Sequence, residues 1–290
     1  MEQPLIVGVD GSEPSLQALD WAADEAVRRE ATLRVVYGAG WGWYERHELS
    51  AVTSRSDERV FADHIVAQAV ERANRRGPAV KAIGEVVPED PAAALIRETR
   101  TACAVVVGSR GRGRLAGMLL GSVGLSVAAH AESPVIVVRG GTKNRSGGFG
   151  QVTVGVGEVQ ETSSAVAFAR AAAEQRGAAL RAVRAWRCLA HEVPDYPRAS
   201  GWTDGHQRRA EAELDEALRE PTVSTPGTPG VRREVVEGHA RVVLLNAAVA
   251  SDLLVVGARR RKGHVGMQLG PVNHALLHHA DCPVAIVPRE

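Results

Sequence analysis

Residues 108–122 read GSRGRGRLAGMLLGS and contain the residue types of a phosphate-binding loop. We expect Gly108 and Gly111 to let the backbone turn with positive φ and to admit a ligand close to the main chain, because glycine has no Cβ. Gly121 and Ser122 open a predicted helix, whose free N–H groups and dipole favour an anion and whose hydroxyl can donate to phosphate. The intervening loop is long enough to wrap a polyphosphate, which predicts a nucleotide ligand.

Two better-known phosphate motifs fit this loop less well. GxxxxGK[ST] is absent because no lysine lies in the loop, which excludes a P-loop nucleoside triphosphatase. Gly111, Gly113 and Ala116 match a loose GxGxxA, but the match follows the fourth predicted strand instead of the first. It also lacks a clear ribose-binding acid about 20 residues further on. The sequence therefore disfavours a nicotinamide site.

Residues 257–271 read GARRRKGHVGMQLGP and align with the first loop from end to end. Arg260 replaces Gly111 and brings a Cβ where close backbone approach is needed. Pro271 replaces Ser122 and removes both a hydroxyl and an N–H group. We therefore expect a weak or non-binding second site, although the basic run 259–262 leaves side-chain phosphate contacts open. The residues of this weaker site would be Gly155, Gly257, Gly263, Gly270 and Val272.

The two loops belong to two copies of one sequence unit. Gly8 in LIVGVDGS matches Gly155 in VTVGVGEV, and a proline matches a proline near the end of each copy. Such self-similarity indicates a duplicated domain. The segment GGTKNRSGGFG reads as a flexible linker because it is rich in Gly, Ser and Asn. The predicted boundaries are a first domain at 1–140, a linker at 141–150 and a second domain at 151–290.

Apolar, β-branched runs alternate with segments of helical period in both copies. Strands are predicted near 4–9, 33–37, 80–87, 103–108 and 134–139, and again near 151–156, 180–184, 231–237, 252–257 and 283–288. Helices are predicted after Ser12-Glu13-Pro14 and near 58–75, 91–101 and 121–131. Runs such as VVVG and VIVV are too continuously apolar for half-exposed strands, which favours a parallel sheet covered on both faces. The predicted fold class is α/β, with two tandem Rossmann-like, doubly wound domains, each a five-stranded parallel sheet flanked by helices.

Composition limits the classes of function. The 290 residues are 44% hydrophobic and 24% charged, and no apolar run approaches the roughly 20 residues that span a bilayer. No basic leader and cleavage site precede the first strand, so we expect a cytoplasmic protein without a membrane partner. The net charge of +1, with both signs interspersed, predicts no nucleic-acid partner. The three cysteines are far apart, which argues against a disulfide framework or a metal site.

The spacing G-x2-G-x9-G-S, with the opening IVGVDGS and the closing SPVIVVR, resembles the universal stress protein family in its tandem two-domain form. The resemblance implies an ATP-binding stress-response or regulatory module. It places Gly8, Val9 and Asp10 near the ribose or adenine, and the backbone around Tyr37 and Gly38 near the adenine. It places Gly108, Ser109, Arg110, Gly111, Arg112, Gly113 and Arg114 around the phosphates. Gly121, Ser122 and Val123 would close the site.

Several alternatives stay open at this point. Asp10 could instead cap the following helix, a frequent role for Asp at a strand-to-helix turn. No catalytic nucleophile and base stand out, so we expect binding rather than catalysis, with Mg²⁺ as a counterion of ATP near Asp10. Slow ATP hydrolysis or phosphotransfer is a second hypothesis, and a nucleotide-independent scaffold is a third. The closing strands SPVIVVR and CPVAIVPR are expected at a sheet edge, where their pairing would join the lobes and favour a homodimer.

Overall fold

Parallel strands and helices alternate through the computed structural model, which describes residues 3–40, 52–111, 120–188, 200–219, 230–258 and 269–289. Only the backbone is described at 52–56, 159–161 and 200–204. The described chain forms two compact units, and the boundary between them in the sequence falls between Arg139 and Gly140. No helix of this described part is both long and apolar enough to cross a membrane.

The first unit is a five-stranded parallel sheet in the order β3-β2-β1-β4-β5. Its elements are β1 (Leu5–Gly8), α1 (Glu13–Arg28), β2 (Leu33–Gly38), α2 (Val52–Arg76), β3 (Ala82–Val87), α3 (Pro91–Glu98), β4 (Ala104–Gly108), α4 (Ser122–His130) and β5 (Val135–Val138). Strand order reverses between β1 and β4. In open sheets of this kind, ligands bind beyond the carboxyl ends of the strands at that reversal.

The second unit repeats the plan, with strand order β8-β7-β6-β9-β10 and parallel pairing throughout. Its elements are α5 (Thr142–Arg145), β6 (Gln151–Gly155), α6 (Val159–Arg176), β7 (Ala179–Trp186), α7 (Ser200–Ala217), β8 (Val231–Glu237), α8 (Ala240–Ala248), β9 (Leu253–Ala258), α9 (Pro271–His279) and β10 (Val284–Pro288). The predicted fold class, two tandem doubly wound α/β domains, is confirmed.

Burial explains why these sequences form these elements. Val105, Val106 and Ile136 in β4 and β5 are fully buried, as expected for strands covered on both faces. Helix α1 begins after the N-cap Ser12 and carries a proline in its first turn, where the missing N–H group has no intrahelical acceptor. Its inner face includes the fully buried Leu19. The core of the first unit therefore lies on both sides of a continuous apolar sheet.

The segment predicted to be a flexible linker is ordered against the second unit. Asn144, which is 7% exposed, donates from Nδ2 to the carbonyls of Val249 and Ser251 at 3.0 and 2.9 Å. The Asp252 carboxylate accepts the N–H groups of Phe149 and Gln151 at 2.9 Å. Asn144 and Asp252 thus supply hydrogen-bond partners that tie this segment to the second unit.

Candidate functional site

A cavity of about 390 Å³ lies in the first unit at the carboxyl ends of β1, β2 and β4. This is the point at which the strand order reverses. The lining residues are Gly8, Val9, Asp10, Ser15, Val36, Tyr37, Gly38, Pro91, Leu95, Val107, Gly108, Arg110, Gly111, Gly121, Ser122, Val123 and Gly124. Its volume falls within the range of ordinary small-molecule sites.

The structure brings most of the predicted site residues together around this cavity. Those that line it are Gly8, Val9, Asp10, Tyr37, Gly108, Arg110, Gly111, Gly121, Ser122 and Val123. Ser109 is not among the lining residues, but its carbonyl accepts the N–H of Gly121 at 2.9 Å and so closes the loop at its base. The predicted phosphate contacts Arg112, Gly113 and Arg114 lie outside the described residues.

Asp10 is held by the turn that precedes α1. Its Oδ1 accepts the N–H of Ser12 at 2.9 Å and the Ser12 hydroxyl at 2.5 Å. Ser12 is the N-cap of α1, so Asp10 fixes the capping residue and does not occupy the N-cap position itself. The other oxygen, Oδ2, faces the glycine loop: a Cβ built on Gly111 would lie 2.6 Å from it. The carboxylate therefore lies between the end of β1 and the loop that follows β4.

The loop glycines allow close packing, and the prediction of positive φ at Gly108 and Gly111 is wrong. Among the glycines near the cavity, positive φ occurs at Gly11, with a value of +80°. A Cβ on Gly108 would lie 2.6 Å from the carbonyl oxygen of Pro14, in the first turn of α1. The physical reason for glycine at both loop positions is thus the absence of a Cβ, which lets the end of β4 and its loop approach α1 and Asp10.

The N-terminus of α4 forms the anion-favouring end of the cavity. Gly121 is its N-cap, with φ −74° and ψ 154°, and the N–H of Leu125 donates back to the Gly121 carbonyl. The preceding N–H groups, those of Ser122 to Gly124, have no acceptor within an α-helix. Together with the helix dipole, they favour a negatively charged group. The motif did not single out Gly124, although it lines this end.

An apolar wall forms the other end of the cavity and includes side chains that the motif analysis missed. Val36, Pro91 and Leu95 line it beside the predicted Val9 and Tyr37. These residues carry no motif signal because valine and leucine in strands and helices ordinarily fill the core. The available signal was Asp90-Pro91, a typical helix start that follows the third predicted strand.

The end of β2 touches the start of α3 at this wall. A Cβ on Gly38 would lie 2.4 Å from the Cα of Pro91, so the two backbones are in direct contact. Asp90 caps α3 by accepting the N–H groups of Ala92 and Ala93 at 2.9 and 3.1 Å. The Asp90 cap thus fixes the start of α3, where Pro91 forms part of the apolar wall.

The chemistry that the lining offers is recognition of an anion and of polar hydroxyl groups. Among the lining residues that the structure describes, the charged ones are Asp10 and Arg110. No cluster of three or more His, Cys, Asp or Glu side chains suited to a metal ion occurs within the described ranges.

The second unit keeps parts of this arrangement in the residues that the structure describes. A Cβ on Gly155 would lie 2.9 Å from Leu244 Cδ1, as one on Gly8 would lie 2.7 Å from Leu95 Cδ1. Gly270 is the N-cap of α9, as Gly121 is of α4, and the first turn of α9 follows with Pro271 and Val272. Gly257 lies in β9, whereas Gly263 lies outside the described residues.

Comparisons with known proteins agree on one family. The model of the family described as "Universal stress protein family" matches residues 1–139 and 148–288. Universal stress protein Rv1996 of Mycobacterium tuberculosis is 32% identical, covering 99% of this chain and 96% of its own length. Universal stress protein Rv2005c of the same organism is 35% identical, with 99% and 97% covered.

Two solved structures share the fold over almost the whole chain. A universal stress protein from Archaeoglobus fulgidus matches with a TM-score of 0.69 at 17% identity, covering 99% of this chain and 98% of its own. A universal stress protein from Pseudomonas aeruginosa, described as putative, matches with a TM-score of 0.58 at 14% identity, with 99% and 93% covered. At these identities the likeness concerns the fold.

Proposed function

The chain belongs to the universal stress protein family, in a tandem two-domain form, and on that premise we propose that its first unit binds ATP as a stress-response or regulatory module. The observation that carries the proposal is the 390 Å³ cavity, which is lined by a helix N-terminus, by Asp10 and by an apolar wall. The chemical groups of a nucleotide match this lining: the phosphates suit the helix N-terminus, the sugar hydroxyls suit Asp10, and the flat apolar base suits the apolar wall.

The phosphate end is supported by the loop and the first turn of α4. The N–H groups of Ser122, Val123 and Gly124 lie at a helix start that favours anions, and the Ser122 hydroxyl can add a hydrogen bond. Arg110 also lines the cavity and supplies a positive charge. Backbone donors of this kind bind a polyphosphate without a P-loop lysine.

The nucleoside end is supported by Asp10 and the apolar wall. A carboxylate accepts hydrogen bonds only, so the Oδ2 side of Asp10 suits ribose hydroxyls or a base amino group. Val36, Tyr37 and Leu95 provide an apolar surface for the base. A Mg²⁺ ion would accompany the phosphates as a counterion, with Asp10 nearby, because its Oδ2 faces the glycine loop.

We test the proposal by identifying the ligand of the freshly purified chain. Heat-denatured protein should release an adenine nucleotide that mass spectrometry identifies, and calorimetric titration of the emptied chain with ATP should give one site per chain. Asp10→Ala should abolish that binding, whereas Asp63→Ala, at an exposed position of α2, should leave it unchanged. A wild-type chain that releases no nucleotide and binds none at millimolar ATP contradicts the proposal.

Slow ATP hydrolysis or phosphotransfer is the competing function, and it predicts that ADP accumulates with Mg²⁺. We favour binding alone, because Asp10 is the one carboxylate among the described lining residues and Ser12 already holds one of its oxygens. A nucleotide-independent scaffold predicts instead that ATP leaves thermal stability unchanged. The homodimer, the pairing of the two closing strands and the cytoplasmic location stay predictions, of which sedimentation equilibrium tests the first.

A further inference from the structure

Arg184 stands in the second unit where Tyr37 stands in the first. Each lies one residue beyond the strand carbonyl that accepts the N–H of Val9 in one unit and of Val156 in the other, at 3.0 and 2.9 Å. Tyr37 lines the open cavity of the first unit. A cation therefore replaces an aromatic ring at the nucleoside end of the second unit.

The Arg184 side chain turns back onto the sheet end. Its Nη1 donates to the carbonyl of Val156 at 3.1 Å, its Nη2 is bonded to Glu213 of α7, and its side chain is 17% exposed. Val156 is the equivalent of Val9, which lines the cavity of the first unit. The guanidinium thus contacts the carbonyl of the residue that is equivalent to a lining residue of the first cavity.

Asn273 makes a second such substitution, at the position of Gly124. Both residues are the third of their helices, α9 and α4, and both helices follow an extended N-cap glycine. Asn273 is 8% exposed and donates from Nδ2 to the carbonyl of Gly257 at 3.0 Å. In the first unit, the missing Cβ of Gly124 would lie 3.6 Å from the matching carbonyl, that of Gly108. The carboxamide therefore reaches from the helix start to the strand end.

We propose that Arg184 and Asn273 fill the second unit's nucleotide cleft, so that the chain has one open cleft and one occupied by its own side chains. By the second cleft we mean the space between residues 156 and 257 at the ends of β6 and β9 and the first turn of α9. The inference rests on the proposed function, because that cleft is defined by its equivalence to the first cavity. The hydrogen bonds that Arg184 and Asn273 donate to the backbone carbonyls take the place of a ligand. The second unit is therefore stable without nucleotide.

The test places the asparagine of the second unit at the equivalent position of the first cleft, in the full chain. Gly124→Asn should weaken ATP binding by about tenfold or more in calorimetric titration, which corresponds to about 1.4 kcal/mol. Gly205→Asn is the matched control, since it adds the same side chain at an exposed position of α7 where a Cβ would meet nothing within 4 Å, and it should bind ATP as the wild type does. Circular dichroism melting of Gly124→Asn without ATP should show a midpoint close to that of the wild type, which separates a loss of binding from a loss of folding.

The reciprocal variant, Asn273→Gly, should leave the affinity of the first cleft unchanged. Two ATP sites per wild-type chain, wild-type affinity in Gly124→Asn, or an equal loss of affinity in Gly124→Asn and Asn273→Gly overturns this inference alone. A wild-type chain that binds no ATP overturns the proposed function as well. The two failures are therefore distinguishable in one set of titrations.

Discussion

At the scale of single residues, the candidate site depends on side chains that are absent as much as on those that are present. Gly108 and Gly111 have ordinary φ values but no room for a Cβ, because Pro14 and Asp10 lie within 2.6 Å of where it would be. Glycine is required at these two positions because the loop lies close to α1 and Asp10, and not because the backbone needs a positive φ there.

Gly111→Ala should weaken ATP binding while leaving the fold intact. The new Cβ would press on Asp10 Oδ2 and move the carboxylate or the loop, whereas Gly111 itself is exposed and outside the core. We expect an increase in Kd of about tenfold, equivalent to about 1.4 kcal/mol, in calorimetric titration. The matched control is Gly205→Ala on α7, where a Cβ would meet nothing within 4 Å. Equal affinities in the two variants would remove Gly111 from the site.

At the scale of elements, the helix starts position the cavity, and the two units use different means to fix them. Asp90 caps α3 with two backbone hydrogen bonds. At the matching position His239 is the N-cap of α8 and makes no side-chain cap bond. Because the start of α3 touches Gly38 at the cavity wall, the cap of the first unit contributes to the site as well as to stability.

Asp90→Ala should lower the free energy of unfolding by about 1 kcal/mol, the usual cost of losing an N-cap side chain. His239→Ala, the matched change in the second unit, removes no cap bond and should cost less. Thermal and urea unfolding of the two variants measures the difference. If both lose the same stability, the cap bonds at Ala92 and Ala93 contribute nothing measurable.

The contact of α7 with β7 should depend on pH through Glu213. Burial alone would raise the pKa of Glu213, but hydrogen bonds from Arg209 and Arg184 and their charges outweigh burial and lower that pKa. A carboxylate with a lowered folded pKa stabilises the fold above its unfolded pKa, about 4.3, and loses that contribution as pH falls through the folded value. The melting midpoint of Glu213→Gln should therefore lie below that of the wild type at pH 7 and approach it near pH 3.

Glu174→Gln, at an exposed position of α6, is the control for this prediction. A gap that persists in acid would show that the charge of Glu213 is not its source.

At the scale of the whole molecule, the sequence predicts the duplicated α/β fold. Its strands are continuous apolar runs, and such runs are expected to be buried wherever the chain folds. It places Asp10 and the loop glycines near one another because the carboxyl ends of parallel strands meet at one edge. It does not predict Asn144 as an anchor, or Asn273 and Arg184 as occupants of the second cleft. The role of a polar side chain there depends on which backbone carbonyl the fold brings within reach, and local pattern carries no information about that.

The last prediction concerns how ATP affects the two units of one chain. A ligand that binds only the folded state stabilises it by mass action, by about 2.7 kcal/mol at 100 times Kd. Because one cleft is open and the other is occupied by Arg184 and Asn273, ATP should slow hydrogen exchange at residues 8–15, 108–111 and 121–125. The matching segments 155–162, 257–258 and 270–274 should exchange at the same rates with and without ATP. Hydrogen exchange with mass spectrometry measures both sets in one sample of the intact chain, so that each unit is the control for the other. Protection of both sets would mean that the second cleft also binds ATP, and protection of neither would mean that the first cavity does not.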